Sequence, residues 1–333
     1  MDRRTLYHII EWSVAVAACG WLVWKLATYD DYAGLWVCLQ GMGWRQWLAI
    51  ALCIALMPLN MAIEAWRWKT LAFANRCAKV HTAPLNEQAT DASAPPTGST
   101  PLAPVGDPFN MSWHEAQRQV YYSKLAGLIT PWRLGEYPAR GIMMEVQSDK
   151  VPSTKELWAK VLSMGAVGSA TMTAAIVTAG AIGLAFSPAF LAYLGGSYLY
   201  ALCAVAAALV LLLAFAPRAL KKYAEVNNGL VMTSIGQSFV RLACWCVQLG
   251  LVMYALGGVG TFSALPAQTA IYYLLVTITP NVPLAEVGVR GAWAIVVFGS
   301  MNAALAGVLL WVINTLLPCL VAVVLFGKPK STL

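Results

Sequence analysis

Charge is scarce in this chain. Of its 333 residues only 22 are Lys or Arg and 15 are Asp or Glu, 11% in all, where a soluble domain carries about 25%. A water-facing surface cannot be built from so few charges, whereas a lipid-facing one needs almost none. Histidine is scarcer still: His8, His81 and His114 do not cluster with one another or with cysteine. The eight cysteines show neither metal-ligand nor disulfide spacing. Most of them (Cys19, Cys38, Cys53, Cys203, Cys244, Cys246 and Cys319) sit in or beside apolar runs, where a free thiol packs as a small hydrophobe. No metal site and no cofactor are expected. Gly-x-Ser-x-Gly, phosphate-loop and paired Cys or His motifs are also missing. The chain is therefore not expected to be an enzyme.

Hydrophobic residues make up 59% of the sequence. Crossing the hydrocarbon core as a helix takes about 20 of them in a row, and runs of that kind fall near 6–28, 46–66, 157–184, 190–216, 229–257 and 303–326. The net charge of +7 is concentrated at their ends, in Arg3/Arg4, Arg67/Lys69/Arg76/Lys79, Lys150/Lys155, Arg218/Lys221/Lys222 and Lys328/Lys330. Such clusters mark cytoplasmic loops, so they read as topology and not as a nucleic-acid surface. Six crossings with both termini inside satisfy the pattern. The first run is interrupted by His8 and Glu11 and continues past Cys19 to Trp24, which reads as an uncleaved helix and not a signal peptide.

Two apolar regions remain, near 121–145 and 265–299, and both carry Pro, Gly, Glu and Arg. The charge pattern allows neither a net crossing, so each is predicted to be a re-entrant hairpin of broken helix. The two also resemble each other. Ile129-Thr130-Pro131 leads to Leu134-Gly135-Glu136 and then Arg140-Gly141; Ile278-Thr279-Pro280 leads to Leu284-Ala285-Glu286 and then Arg290-Gly291. Tyr121/Tyr122 precede the first and Tyr272/Tyr273 the second. The predicted fold is an all-α polytopic membrane protein: about six full spans plus two re-entrant hairpins in an inverted repeat. One integral domain would cover 1–333, with its first repeat at 1–184 and its second at 190–326. Residues 82–110, with six prolines and few apolar anchors, read as a disordered insertion in the first repeat.

Ionisable residues at membrane depth are expensive and usually functional. Pro138 suits the first turn of a new helix, which would put Glu136 and Arg140 on one face; Glu286 and Arg290 repeat that spacing. A helix amino terminus offers free N–H groups to an anion, and arginine offers a planar fork matched to phosphate oxygens. The predicted substrate-binding set is Arg140, Arg290, Glu136, Glu286, Arg133 and Arg241. Alternatively, the Glu residues neutralise the Arg residues of their own or the other half and stitch the hairpins together. Glu64 and Arg67, near the inner end of their run, are expected to snorkel to the interface.

Residues 60–71, with Ala65-Trp66-Arg67-Trp68, and 129–145, with Arg133-Leu134-Gly135-Glu136 and Arg140, resemble the lysylphosphatidylglycerol synthase transmembrane-region family. Gly288-Val289-Arg290 is similar to that family's second signature. The family comprises the flippase part of bacterial multiple peptide resistance factors and free-standing relatives. The resemblance covers most of the chain outside the proline-rich insertion. It implies a bacterial inner-membrane flippase that moves a lipid with an anionic or zwitterionic headgroup. The alternative is a non-transporting scaffold that assists an envelope glycosyltransferase or lipid-modifying enzyme. Membrane lipid is the expected partner. An envelope enzyme and a second copy of the chain stay open as further partners, and nucleic acid is not expected.

Overall fold

The computed structural model describes residues 36, 40–82, 109–130, 133–147, 154–185, 187, 228–257, 263–279 and 286–325. These are helical, with no strand among them. Four helices are long and apolar enough to cross a membrane: Trp44–Phe73, Lys155–Leu184, Gly229–Ala255 and Met301–Leu325. They coincide with four of the six expected spans. The other two, at 6–28 and 190–216, lie outside the described residues, as does most of the 82–110 insertion.

In chain order the helices are α1 (Trp44–Thr82), α2 (Trp113–Ile129), α3 (Glu136–Gln147), α4 (Thr154–Ala185), α5 (Asn228–Ala255), α6 (Leu265–Ile278), α7 (Glu286–Phe298), α8 (Met301–Trp311) and α9 (Leu317–Leu325). A π-helical turn, Val312–Leu316, joins α8 to α9. Pro318 has no N–H to return to the Asn314 carbonyl four residues back, and a helix can relieve such a gap by widening. The amide of Leu317 accordingly bonds to the Val312 carbonyl.

Two expected boundaries move. Helix α1 runs well past residue 66, to Thr82. At the far end of the insertion, Phe109 is buried in the core at 2% exposure. Its ring belongs to the apolar core, so the last two residues of the expected insertion are part of the folded helical body.

The two Ile-Thr-Pro motifs explain where α2 and α6 stop. The residue before a proline is pushed out of the α region, and both threonines are extended: Thr130 at φ −112° and Thr279 at φ −79°. Each hydroxyl also donates to a carbonyl four residues back, Thr130 to Ala126 at 2.9 Å and Thr279 to Leu275 at 2.7 Å. Each then accepts from the helix that follows or its approach, Thr130 Oγ1 from the Gly135 amide at 2.8 Å and Thr279 Oγ1 from Trp293 Nε1 at 2.8 Å. The same tripeptide makes the same break twice. At the other end of α2, Ser112 and Glu115 form a reciprocal capping box.

Packing between the halves is reciprocal. Helix α2 packs on α9, the final part of the long element Met301–Leu325, and α6 packs on the long helix α4. Helices α1 and α5 pack along each other between them. Close approach of α6 to α4 depends on Gly180, where a Cβ would come within 2.6 Å of Leu274. Small residues at such contacts let apolar helices meet without relying on water exclusion. Outward faces keep large apolar side chains exposed, among them Leu52, Leu59, Val247, Leu320 and Val324.

Candidate functional site

Arg241 falls at the middle of Gly229–Ala255, Ser169 at the middle of Lys155–Leu184 and Thr315 near the middle of Met301–Leu325; Glu64 lies about two-thirds and Arg67 about four-fifths along Trp44–Phe73. The breaks α2–α3 and α6–α7 bring Lys124, Arg133 and Glu136, and Glu286 and Arg290, to the same level. All of these residues except Thr315 line one cavity of about 330 Å³. A smaller cavity of about 40 Å³ shares Lys124, Arg133, Arg241 and Arg290 with it and extends to Asn314 and Thr315.

Glu64 is 3% exposed and is the hub of the site. Its Oε2 accepts from Arg67 at 2.8 Å and from Arg241, and its Oε1 from Arg140 at 2.9 Å. Glu136 takes both oxygens to Lys124 Nζ, at 2.9 and 2.7 Å. Arg140 and Arg133 stand 3.6 and 3.9 Å from the same carboxylate. Glu286 accepts from Nε and Nη2 of Arg290 at 2.9 and 2.7 Å, and from Arg133 Nη2 at 3.2 Å. Six cations thus share three carboxylates, a formal excess of three positive charges in one buried cluster.

Arg133 occupies a special backbone position. It has φ 55°, a left-handed conformation that a non-glycine residue adopts at a cost of about 1 kcal/mol. From there its guanidinium reaches Glu286 on α7 and Thr315 Oγ1 at 2.6 Å on the π turn. Among the described residues it is the ionic link between the two broken-helix pairs.

All six residues predicted for the site gather in this cluster, in different roles. Glu136, Arg133, Arg241, Glu286 and Arg290 line the main cavity. Arg140 does not. It lies behind the wall, 2% exposed, donating to Ser123 Oγ at 3.1 Å with its guanidinium over the rings of Trp68 and Tyr137. The i, i+4 pairing on α3 and α7 is present in both, tight at Glu286–Arg290 and looser at Glu136–Arg140. The stitching of one broken pair to the other is visible in Arg133–Glu286, and Arg133 lines the cavity as well.

The snorkelling expected of Glu64 and Arg67 is not what the structure shows. Both are buried, at 3% and 5% exposure, in the ion cluster. Three arginines on three helices offer Glu64 more than the interface can. Lys124 was missed altogether. The signal was present: a lone cation inside an apolar stretch that had no topological use for it. An interhelical amide ladder was missed too. Trp245 Nε1 donates to Asn60 at 3.0 Å, Asn60 to Asn314 at 3.2 Å, Asn314 to Gln248 at 3.0 Å, and Gln248 to the Cys53 carbonyl at 3.1 Å. It ties α1, α5 and the π turn together beside Arg241, whose Nε also donates to Asn60 at 3.1 Å.

Among the described residues no three His, Cys, Asp or Glu side chains gather as metal ligands would. The chemistry on offer is electrostatic: a partly apolar chamber, with Leu134, Met172, Ile176 and Val276 on its wall, holding surplus guanidinium and ammonium groups. Such a charge distribution favours an anion. No family model matches the chain, and a search of the curated proteins finds no match.

Proposed function

We propose that the chain is a lipid flippase or related transporter that carries a phosphate-bearing headgroup through this cavity. The observation that carries the reading is the surplus of buried positive charge halfway along the long helices. Burying one unneutralised charge is costly, and an anionic ligand would offset that cost for the surplus here. A headgroup in transit must leave water, and fixed cations at mid-depth lower that barrier. Arg133, Arg290, Arg241 and Lys124 face the cavity and would hold the phosphate. Glu136 and Glu286 would hold the cations in place when the cavity is empty. The apolar wall residues would accommodate the start of the acyl chains.

In this reading the chain crosses a bacterial inner membrane six times with both termini inside. The α2–α3 and α6–α7 pairs dip in from opposite leaflets as re-entrant hairpins of an inverted repeat, an arrangement that places substrate sites near the midplane. The repeated motif, the reciprocal packing of α2 on α9 and α6 on α4, and the resemblance to the lysylphosphatidylglycerol synthase transmembrane-region family support it. Reconstituted protein should translocate a labelled phospholipid, and Arg290→Ala and Arg133→Ala should each slow it severely. Normal rates in both variants would remove the mechanism.

A further inference from the structure

The geometry points to a phosphate monoester dianion as the group this cavity takes, in preference to a phosphodiester or a zwitterionic headgroup. This rests on the transport reading and narrows its substrate. Glu64, Glu136 and Glu286 each serve at least two cations, and none of the three is left to meet a cationic headgroup. A zwitterion would bring its ammonium into a chamber already in positive excess. A phosphodiester supplies one negative charge. A monoester supplies nearly two, with three strong acceptor oxygens, and comes closest to cancelling the excess of two that the cavity wall itself carries, Arg67, Lys124, Arg133, Arg241 and Arg290 against Glu64, Glu136 and Glu286.

The cations are also placed for a compact group. Arg133 and Arg290 converge on the Glu286 carboxylate, at 3.2 and 2.7 Å, so both guanidinium groups border one small volume. Arg241 and Lys124 line the same two cavities. A terminal phosphate with three free oxygens can engage forks from several sides, whereas a diester has two of its oxygens esterified. The shared chemistry is the monoester-type dianion. It can arrive at the end of a lipid or as free inorganic phosphate.

The test uses the full chain reconstituted in phosphatidylcholine vesicles. Fluorescent phosphatidic acid (a monoester), phosphatidylglycerol (a diester) and phosphatidylcholine (a zwitterion) are compared, with uptake of radiolabelled inorganic phosphate measured in parallel. The monoester lipid should cross at least about tenfold faster than the diester, given the strength of charge interactions in a low-dielectric site. That preference should shrink as the pH is lowered through about 6, where the monoester loses its second charge. Thr173→Asp, which adds a carboxylate to the wall, should reduce the preference in the same direction. Should that variant fail to fold, the pH series on the unaltered protein carries the test.

Phosphate uptake without lipid movement would uphold the dianion and overturn the lipid flippase. Equal or faster movement of the diester or zwitterion would overturn the dianion and leave the flippase standing. Failure of every substrate to cross would overturn both.

Discussion

Arg133 and Glu286 are 153 residues apart in the chain and meet at 3.2 Å. One belongs to the first broken-helix pair and the other to the second, and among the described residues theirs is the ionic contact that joins those pairs. Arg133 makes it from a left-handed backbone, so backbone and side chain can be separated by substitution. Arg133→Ala removes the guanidinium and keeps the strained φ. Arg133→Gly removes both, and should be about 1 kcal/mol more stable than the alanine variant. Both should lose transport to a similar degree. Thermal unfolding in detergent and vesicle translocation, measured on the same preparations, separate the two effects. Equal stability of the two variants would mean that the conformation stores no strain.

Glu64 holds Arg67, Arg140 and Arg241 at once, so its loss should be the most damaging single change in the cluster. Removing one partner of a buried ion pair typically costs about 3–5 kcal/mol. Glu64→Gln is expected to fall in that range or to prevent folding. Combining it with Arg241→Met restores the charge balance and should recover part of the loss. A double substitution no more stable than Glu64→Gln alone would show that these two charges do not act together.

Much of this arrangement was legible in the sequence, and for identifiable reasons. Proline after Thr130 and Thr279 pushes the threonine out of the α region, and a Glu/Arg spacing of four shares a helical face. The two breaks and the Glu136/Arg140 and Glu286/Arg290 pairs could therefore be read locally. What joins those pairs could not. Glu64 lies 76 residues from Arg140 and 177 from Arg241, and only the packing of α1 on α5 and α2, with α3 folded back on α2, brings them together. Near the end of an apolar run, Glu64 looked like a side chain that could reach the interface. The retreat of Arg140 behind the wall has the same origin: Ser123, Trp68 and Glu64 offer it a tighter seat than the cavity does. Its local spacing to Glu136 carries no trace of them.

Gly127 gives a way to disturb Glu136 without changing any charge. A Cβ at that position would lie 2.6 Å from Glu136 Cγ and 2.9 Å from its Oε1. Gly127→Ala should therefore push the carboxylate away from Lys124, which it now meets at 2.7 Å. Overpacking of this kind costs about 1–3 kcal/mol. Transport should fall although every ionisable side chain remains, and Lys124→Met should give a similar loss by removing the partner. If Gly127→Ala behaves like the unaltered protein, the Lys124–Glu136 contact does not matter to the site.

The re-entrant reading of the broken pairs makes a topological prediction. Both ends of the α2–α3 pair should open to one side of the membrane, and both ends of the α6–α7 pair to the other. Introduced singly into a cysteine-free background, Trp113→Cys and Glu145→Cys should react with a membrane-impermeant thiol reagent from the cytoplasmic side. Ser263→Cys and Ser300→Cys should react from the opposite side. Helices of 12 to 17 residues extend about 18–26 Å at 1.5 Å per residue. That falls short of the roughly 30 Å hydrocarbon core, so each can reach the middle and return without crossing. Labelling of Trp113→Cys and Glu145→Cys from opposite faces would make the first pair a full crossing. It would also reverse every later segment and place the basic cluster at 218–222 on the wrong side for its charge.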